Sequence, residues 1–137
     1  MHLTREKIEL ERNSDGFHSG AEVIFVGKIR NHSEGRQVLY LVYEAYEAMA
    51  ERMIESLIEK AQSRWAVDRI FIQHRLGLIE LGETAVLIEV HSAHRDEAYQ
   101  ASRFLIEEIK HQVPIWKKEF FEDGTGVWSR CTHQEAV

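Results

Sequence analysis

Residues 69–91, RIFIQHRLGLIELGETAVLIEVH, decide the fold. Arg69 to Leu76 alternates cleanly and sets Ile70, Ile72, His74 and Leu76 on one side, the period-two pattern of a strand with a buried face. Gly77 to Glu83 contains a turn, and Thr84 to His91 (TAVLIEVH) reads as a second strand. A helix follows at about Arg95 to Gln112, with Ala98, Ala101, Leu105 and Ile109 on its inner face. Pro114, the one proline, fixes its end, because the residue before a proline avoids helical angles.

The same order stands upstream. Ala21 to Ile29 (AEVIFVGKI) reads as a buried strand, Asn31 to Gly35 as a loop and Val38 to Glu44 (VLYLVYE) as a strand, the two predicted to pair antiparallel across the loop. Over residues 45–65, Ala50, Met53, Ile54, Leu57, Ile58, Ala61 and Trp65 fall on one helix face, and Glu47, Glu51, Glu55 and Glu59 form an acidic stripe elsewhere. That stripe is either a solvated face or a docking surface. Downstream, Ile115 to Phe121 and Val127 to Arg130 read as strands joined by a hairpin turn at Asp123-Gly124. Residues 1–20 are mixed and end in the turn-prone run Asn13-Ser14-Asp15-Gly16. Strand-strand-helix, repeated, then a closing strand pair predicts a single α+β domain over residues 1–137, an antiparallel or mixed sheet with two helices packed on it.

Composition agrees with that class. A chain of 137 residues with 44% hydrophobic and 29% charged residues is one ordinary domain, neither disordered nor collagen-like. The lone Cys131 can form no internal disulfide and no zinc site of the several-cysteine kind. The N-terminus alternates charged and apolar residues without the apolar core of a signal peptide, and no apolar run approaches the ~20 residues a bilayer requires. The expectation is a soluble, cytoplasmic protein with no membrane partner. Seventeen Lys and Arg against 23 Asp and Glu give a formal charge of −6, which argues against nucleic acid as the main ligand.

Three short segments concentrate polar residues beside element ends. In Gly27–His32, strand alternation places Lys28 and Arg30 on one face, where two cations can hold a phosphate or where a strand simply turns polar as it reaches water. In His91–Arg95, a strand leads into a helix whose free N–H groups favour anions. His94 and Arg95 add donors there, while Asp96 and Glu97 can satisfy the same groups without a ligand. The spacing of His91 and His94 does not make a metal site. In Lys110–Glu119, Lys110 sits in the last helical turn, and one of Lys117 and Lys118 must point inward if the segment is a strand. A lysine near another cation and partly desolvated loses its proton more easily and can act as a base or nucleophile; the alternative is a solvated lysine. No G-x-S-x-G, P-loop or dinucleotide fingerprint occurs.

At these segments the chain resembles the large, catalytic subunit of molybdopterin synthase. The stretches are VGKIRNHSEG (26–35), LVYEAYEAMAERM (41–53), HRLGLIELGE (74–83), VHSAHRDEAYQAS (90–102) and KHQVPIWKKE (110–119), five blocks in order between about Ala21 and Trp128. The resemblance implies a hammerhead-like α+β fold. It implies an enzyme of molybdenum cofactor biosynthesis, a sulfurtransferase that installs the two dithiolene sulfurs of molybdopterin on cyclic pyranopterin monophosphate, with no cofactor or metal. Sulfur arrives on a small, ubiquitin-like partner subunit whose C-terminal glycine bears a thiocarboxylate, and the assembly is a heterotetramer around a central homodimer of large subunits. By the same resemblance Lys110 and Lys117 match catalytic lysines, Lys28, Arg30, His94 and Arg95 match substrate contacts, and Lys118 and Glu119 continue the pocket-lining segment. Arg130 is only an approximate counterpart of a further anion-binding arginine, and Cys131 is incidental, since the sulfur comes from the partner. Two other readings remain at this point: a non-catalytic pterin- or partner-binding subunit of the same fold, and an RNA-binding module, which requires a basic sheet face with exposed aromatics.

Overall fold

The computed structural model describes residues 1–10, 19–33 and 35–130. Its elements in chain order are β1 (Leu3–Thr4), β2 (Ala21–Lys28), β3 (His32–Ser33), β4 (Arg36–Ala45), α1 (Glu47–Arg64), β5 (Val67–Arg75), β6 (Gly77–Glu80), β7 (Thr84–Ser92), α2 (Arg95–Gln112), β8 (Ile115–Phe121) and β9 (Gly126–Arg130). The run Asn13-Ser14-Asp15-Gly16, Glu34 and Cys131 lie outside the described residues.

The strands form two sheets. One has the order β1-β5-β7-β2, antiparallel except for β1, which runs parallel to β5. In the other, β4 has β8 on one edge and β3 and β6 on the other, and β9 closes the far side of β8. The two helices lie against each other, and α2 packs on β7 and β2. The predicted α+β class, both helices and the closing hairpin are all present. Ala50, Ile54, Leu57, Ile58 and Ala61 are the buried face of α1, and Ala98, Ala101, Leu105 and Ile109 that of α2, joined by Ser102.

One predicted pairing is wrong. Among the described residues β2 and β4 do not pair; β2 lies along β7, from Ala21 opposite Ser92 to Lys28 opposite Thr84, while β4 enters the other sheet. The loop between them satisfies its own backbone: Val38 N–H donates to Asn31 O at 3.0 Å, and β3 folds onto the start of β4 as a small hairpin. That hairpin turns the chain out of one sheet and into the next.

Gly77 performs a second change of sheet. At φ +90° it takes a left-handed conformation that costs other residues energy, so the chain breaks from β5 and continues as β6 on the edge of β4. The segment expected only to turn is thus a short strand first, and the turn follows at Leu81–Glu83. Arg75 braces this corner, donating to Glu83 Oε1 at 3.0 Å and to the Leu78 carbonyl at 3.1 Å. No helix among the described residues is long and apolar enough to cross a membrane.

Candidate active site

Lys110 occupies the last turn of α2, where its charge complements the helix dipole. Half-buried, it lines a narrow recess with Ile106 and Ile109 of its own helix, Val86 of β7, Ile115 of β8 and His74 of β5. On β8, period two places Lys117 and Glu119 on the side of the buried Ile115 and Phe121, and Lys118 on the side of Trp116 and Phe120. Lys117 is therefore the lysine that turns inward. Its register neighbour on β4 is Tyr43, whose ring meets His74 edge-on at 4.9 Å. Lys117, Tyr43, His74 and Lys110 form one contiguous run from β8 to α2.

Glu119, on the same face, accepts a hydrogen bond from Ser33 Oγ at 3.4 Å. Lys118 is elsewhere. Its Nζ lies 5.0 Å from the Phe120 ring and 5.6 Å from that of Trp128, a pair of cation–π contacts on the opposite face of the sheet. Lys28 ends β2 after a register irregularity, and Arg30 lies just beyond the strand; both are exposed and flank the buried Ile29. They leave β2 beside the recess, because Gly27 pairs with the recess residue Val86. A Cβ on Gly27 would lie 2.6 Å from Val86 Cγ1, so only glycine allows this approach without a shift.

His94 and Arg95 lie at the other end of α2. His94 precedes the helix in extended conformation and its side chain makes no capping bond. Both residues line an open cleft of about 580 Å³ together with Gly20, Ala21, Asp96 and Tyr99. His91, by contrast, is buried between the carboxylates of Glu22 at 3.4 Å and Glu89 at 3.5 Å. Arg95 and Lys110 are separated along α2 by about 22 Å at the helical rise per residue. Within one chain the three segments therefore form two cationic groups: Lys28, Arg30, Lys110 and Lys117 at one end, His94 and Arg95 at the other.

His74 belongs to the first group, and the sequence pattern marks it only as a member of a buried strand face. It is 6% exposed, and burial lowers its pKa to about 4, opposed by its hydrogen bond to the Arg75 carbonyl (2.9 Å) and assisted by the charge of Lys110. The available signal was a histidine at the apolar parity of an otherwise apolar alternation.

Comparison with known proteins shows the family. The family model described as MoaE protein matches residues 3–112. The chain belongs to the MoaE family. It is 47% identical over 107 residues to the molybdopterin synthase catalytic subunit of Halalkalibacterium halodurans, covering 78% of this chain and 69% of that protein. To the subunit of the same name from Bos taurus it is 41% identical over 131 residues, 93% of this chain and 69% of the other. Among solved structures it is similar to molybdopterin synthase from Staphylococcus aureus, with TM-score 0.87, 38% identity and coverage of 93% and 95% of the two chains. It is also similar to a chain in the protein–protein complex of subunits 1 and 2 of molybdopterin-converting factor from Helicobacter pylori 26695, with TM-score 0.69, 26% identity and coverage of 82% and 73%. In this MoaE chain the family match takes in Lys28, Arg30, His94, Arg95 and Lys110, while Lys117, Lys118 and Glu119 lie beyond it on β8.

Proposed function

We propose that the protein is the catalytic subunit of a molybdopterin synthase. It transfers sulfur from the C-terminal thiocarboxylate of a small, ubiquitin-like partner to cyclic pyranopterin monophosphate and so forms the dithiolene of molybdopterin. The observation that supports this most is the placement of Lys110 and Lys117 on one face, linked through Tyr43 and His74, in a chain 47% identical to a relative of that name.

Substrate phosphate and thiocarboxylate are both anions, and a chain of net charge −6 attracts them only by gathering cations locally. Lys117 contacts the thiocarboxylate and stabilises the oxyanion formed on transfer. Lys110 moves protons as the cyclic phosphate opens. Arg30, His94 and Arg95 hold phosphate and pterin, with Lys28 and Glu119 at the margins of the site. Because α2 holds His94 and Arg95 far from the lysines of the same chain, a homodimer of this subunit supplies the two groups to one site from two copies.

The test is conversion of cyclic pyranopterin monophosphate with the thiocarboxylated small subunit supplied. Wild type is expected to form molybdopterin, and Lys110→Ala and Lys117→Ala to lose it by about 100-fold or more, the scale on which removed proton-transfer and oxyanion groups act. Full conversion by both variants would overturn the assignment of the lysines. Binding of partner and pterin by wild type without conversion would leave a binding subunit.

A further inference from the structure

His74 is a buried polar side chain to which the proposed reaction gives no task. It stands on the β5 face that meets α2, and its amide is taken by the His2 carbonyl of the adjoining N-terminal segment at 2.8 Å. The ring's Nδ1 lies 2.9 Å from the Arg75 carbonyl, an acceptor only, so Nδ1 is the protonated nitrogen and Nε2 is left as the ring's acceptor. Tyr43 fixes the ring plane from β4 by its edge-on contact at 4.9 Å. Tautomer and orientation are thus set from two sides, and the ring lines the same recess as Lys110.

An apolar side chain would fill this place at lower cost, since burying an imidazole loses hydration that one backbone hydrogen bond only partly returns. Lys110 is the neighbour that gains from an imidazole. Of the ionisable groups bearing on the ring, Lys110 approaches from α2 and Tyr43 from β4, while Val86 and Ile115 bring no charge from β7 and β8. A neutral imidazole offers an ammonium an acceptor without adding a second positive charge.

We propose that His74 is a positioning residue for Lys110: its neutral, tautomer-locked ring supplies the uncharged acceptor that holds the lysine head group at the recess. This rests on the reading of Lys110 as the proton-moving residue. Its direct test is independent of turnover.

Ring ¹⁵N shifts of His74 are followed through a pH titration in wild type and in Lys110→Met. The expected result is a neutral ring protonated at Nδ1 from pH 7 to pH 5, with a midpoint that moves upward when the lysine charge is removed. An Nε2-protonated or doubly protonated ring at pH 7, or a midpoint indifferent to Lys110→Met, would overturn the proposal. In turnover, a folded His74→Phe is expected to fall about 10- to 100-fold, the penalty of a slightly misplaced catalytic group, and to displace the pH-rate profile. His74→Gln, which restores an acceptor, recovers part of the rate. Unchanged rate and profile in folded His74→Phe would also refute the proposal. Should that variant not fold, the titration decides alone. Were Lys110→Ala to keep full turnover, the reading of Lys110 would fall while the titration still reported the contact.

Discussion

His74 ties stability to pH in a direction that can be worked out. Its ring titrates near 6.5 in an unfolded chain and at about 4 in the folded protein. Above pH 6.5 both states are neutral and the histidine imposes no pH dependence. As pH falls through 6.5 the unfolded chain takes up a proton that the folded protein refuses, so stability declines until about pH 4. Over that window the loss amounts to about 3 kcal/mol. Urea unfolding of wild type and His74→Gln between pH 7 and pH 4 should show wild type losing the larger share; parallel curves would mean that the ring is not neutral when folded. The burial of this residue was legible from its parity with Ile70, Ile72 and Leu76. Its nearness to Lys110 was not, because the two are brought together only by the return of α2 across β7.

At the scale of elements, the acidic stripe of α1 leaves Glu47, Glu55 and Glu59 exposed, as a solvated face does, and it also holds the N-terminal segment of its own chain. Glu51 receives the backbone N–H groups of His2 at 2.7 Å and Leu3 at 2.9 Å, Glu55 meets the His2 ring at 2.8 Å, and Glu47 pairs with Arg5 at 2.6 Å. Three of its four carboxylates pin β1 to the edge of β5, where His74 and Leu76 donate to the His2 and Thr4 carbonyls. Glu51→Ala is expected to reduce hydrogen-exchange protection of the His74 and Leu76 amides and to cost about 1.5–3 kcal/mol, as for hydrogen bonds to a charged group. Glu59→Ala, at the exposed end of the stripe, should leave both unchanged. Equal protection in all three proteins would show that β1 docks without the carboxylate.

The contrast with α2 shows what periodicity conveys. Both ends of α2 were legible, one from the 3.6-residue spacing of Ala98, Ala101, Leu105 and Ile109 and the other from Pro114. The pairing of β2 with β7 was not, since a strand's apolar pattern states which face is buried and nothing about its neighbour. β6 escaped for a related reason: four residues with a single buried side chain, Ile79, are too short to display a period.

At the scale of the whole molecule, the candidate residues other than His74 and Tyr43 were legible as three polar segments, and the expected helix from Arg95 to Gln112 already set Arg95 and Lys110 at its two ends. Only the strand pairing shows that β2 brings Lys28 and Arg30, and β8 brings Lys117, to the Lys110 end of α2. In the proposed enzyme the Lys110 group of one copy and the His94–Arg95 group of another act as one site. The most direct measurement mixes two inactive proteins, Arg95→Ala and Lys110→Ala, after allowing subunits to exchange, and follows molybdopterin formation with the thiocarboxylated partner. In a two-fold dimer each mixed pair holds one site with both groups intact, so activity should return to about a quarter of the wild-type value. A mixture as inactive as either variant alone, with exchange verified, would contradict the account and confine each site to a single chain.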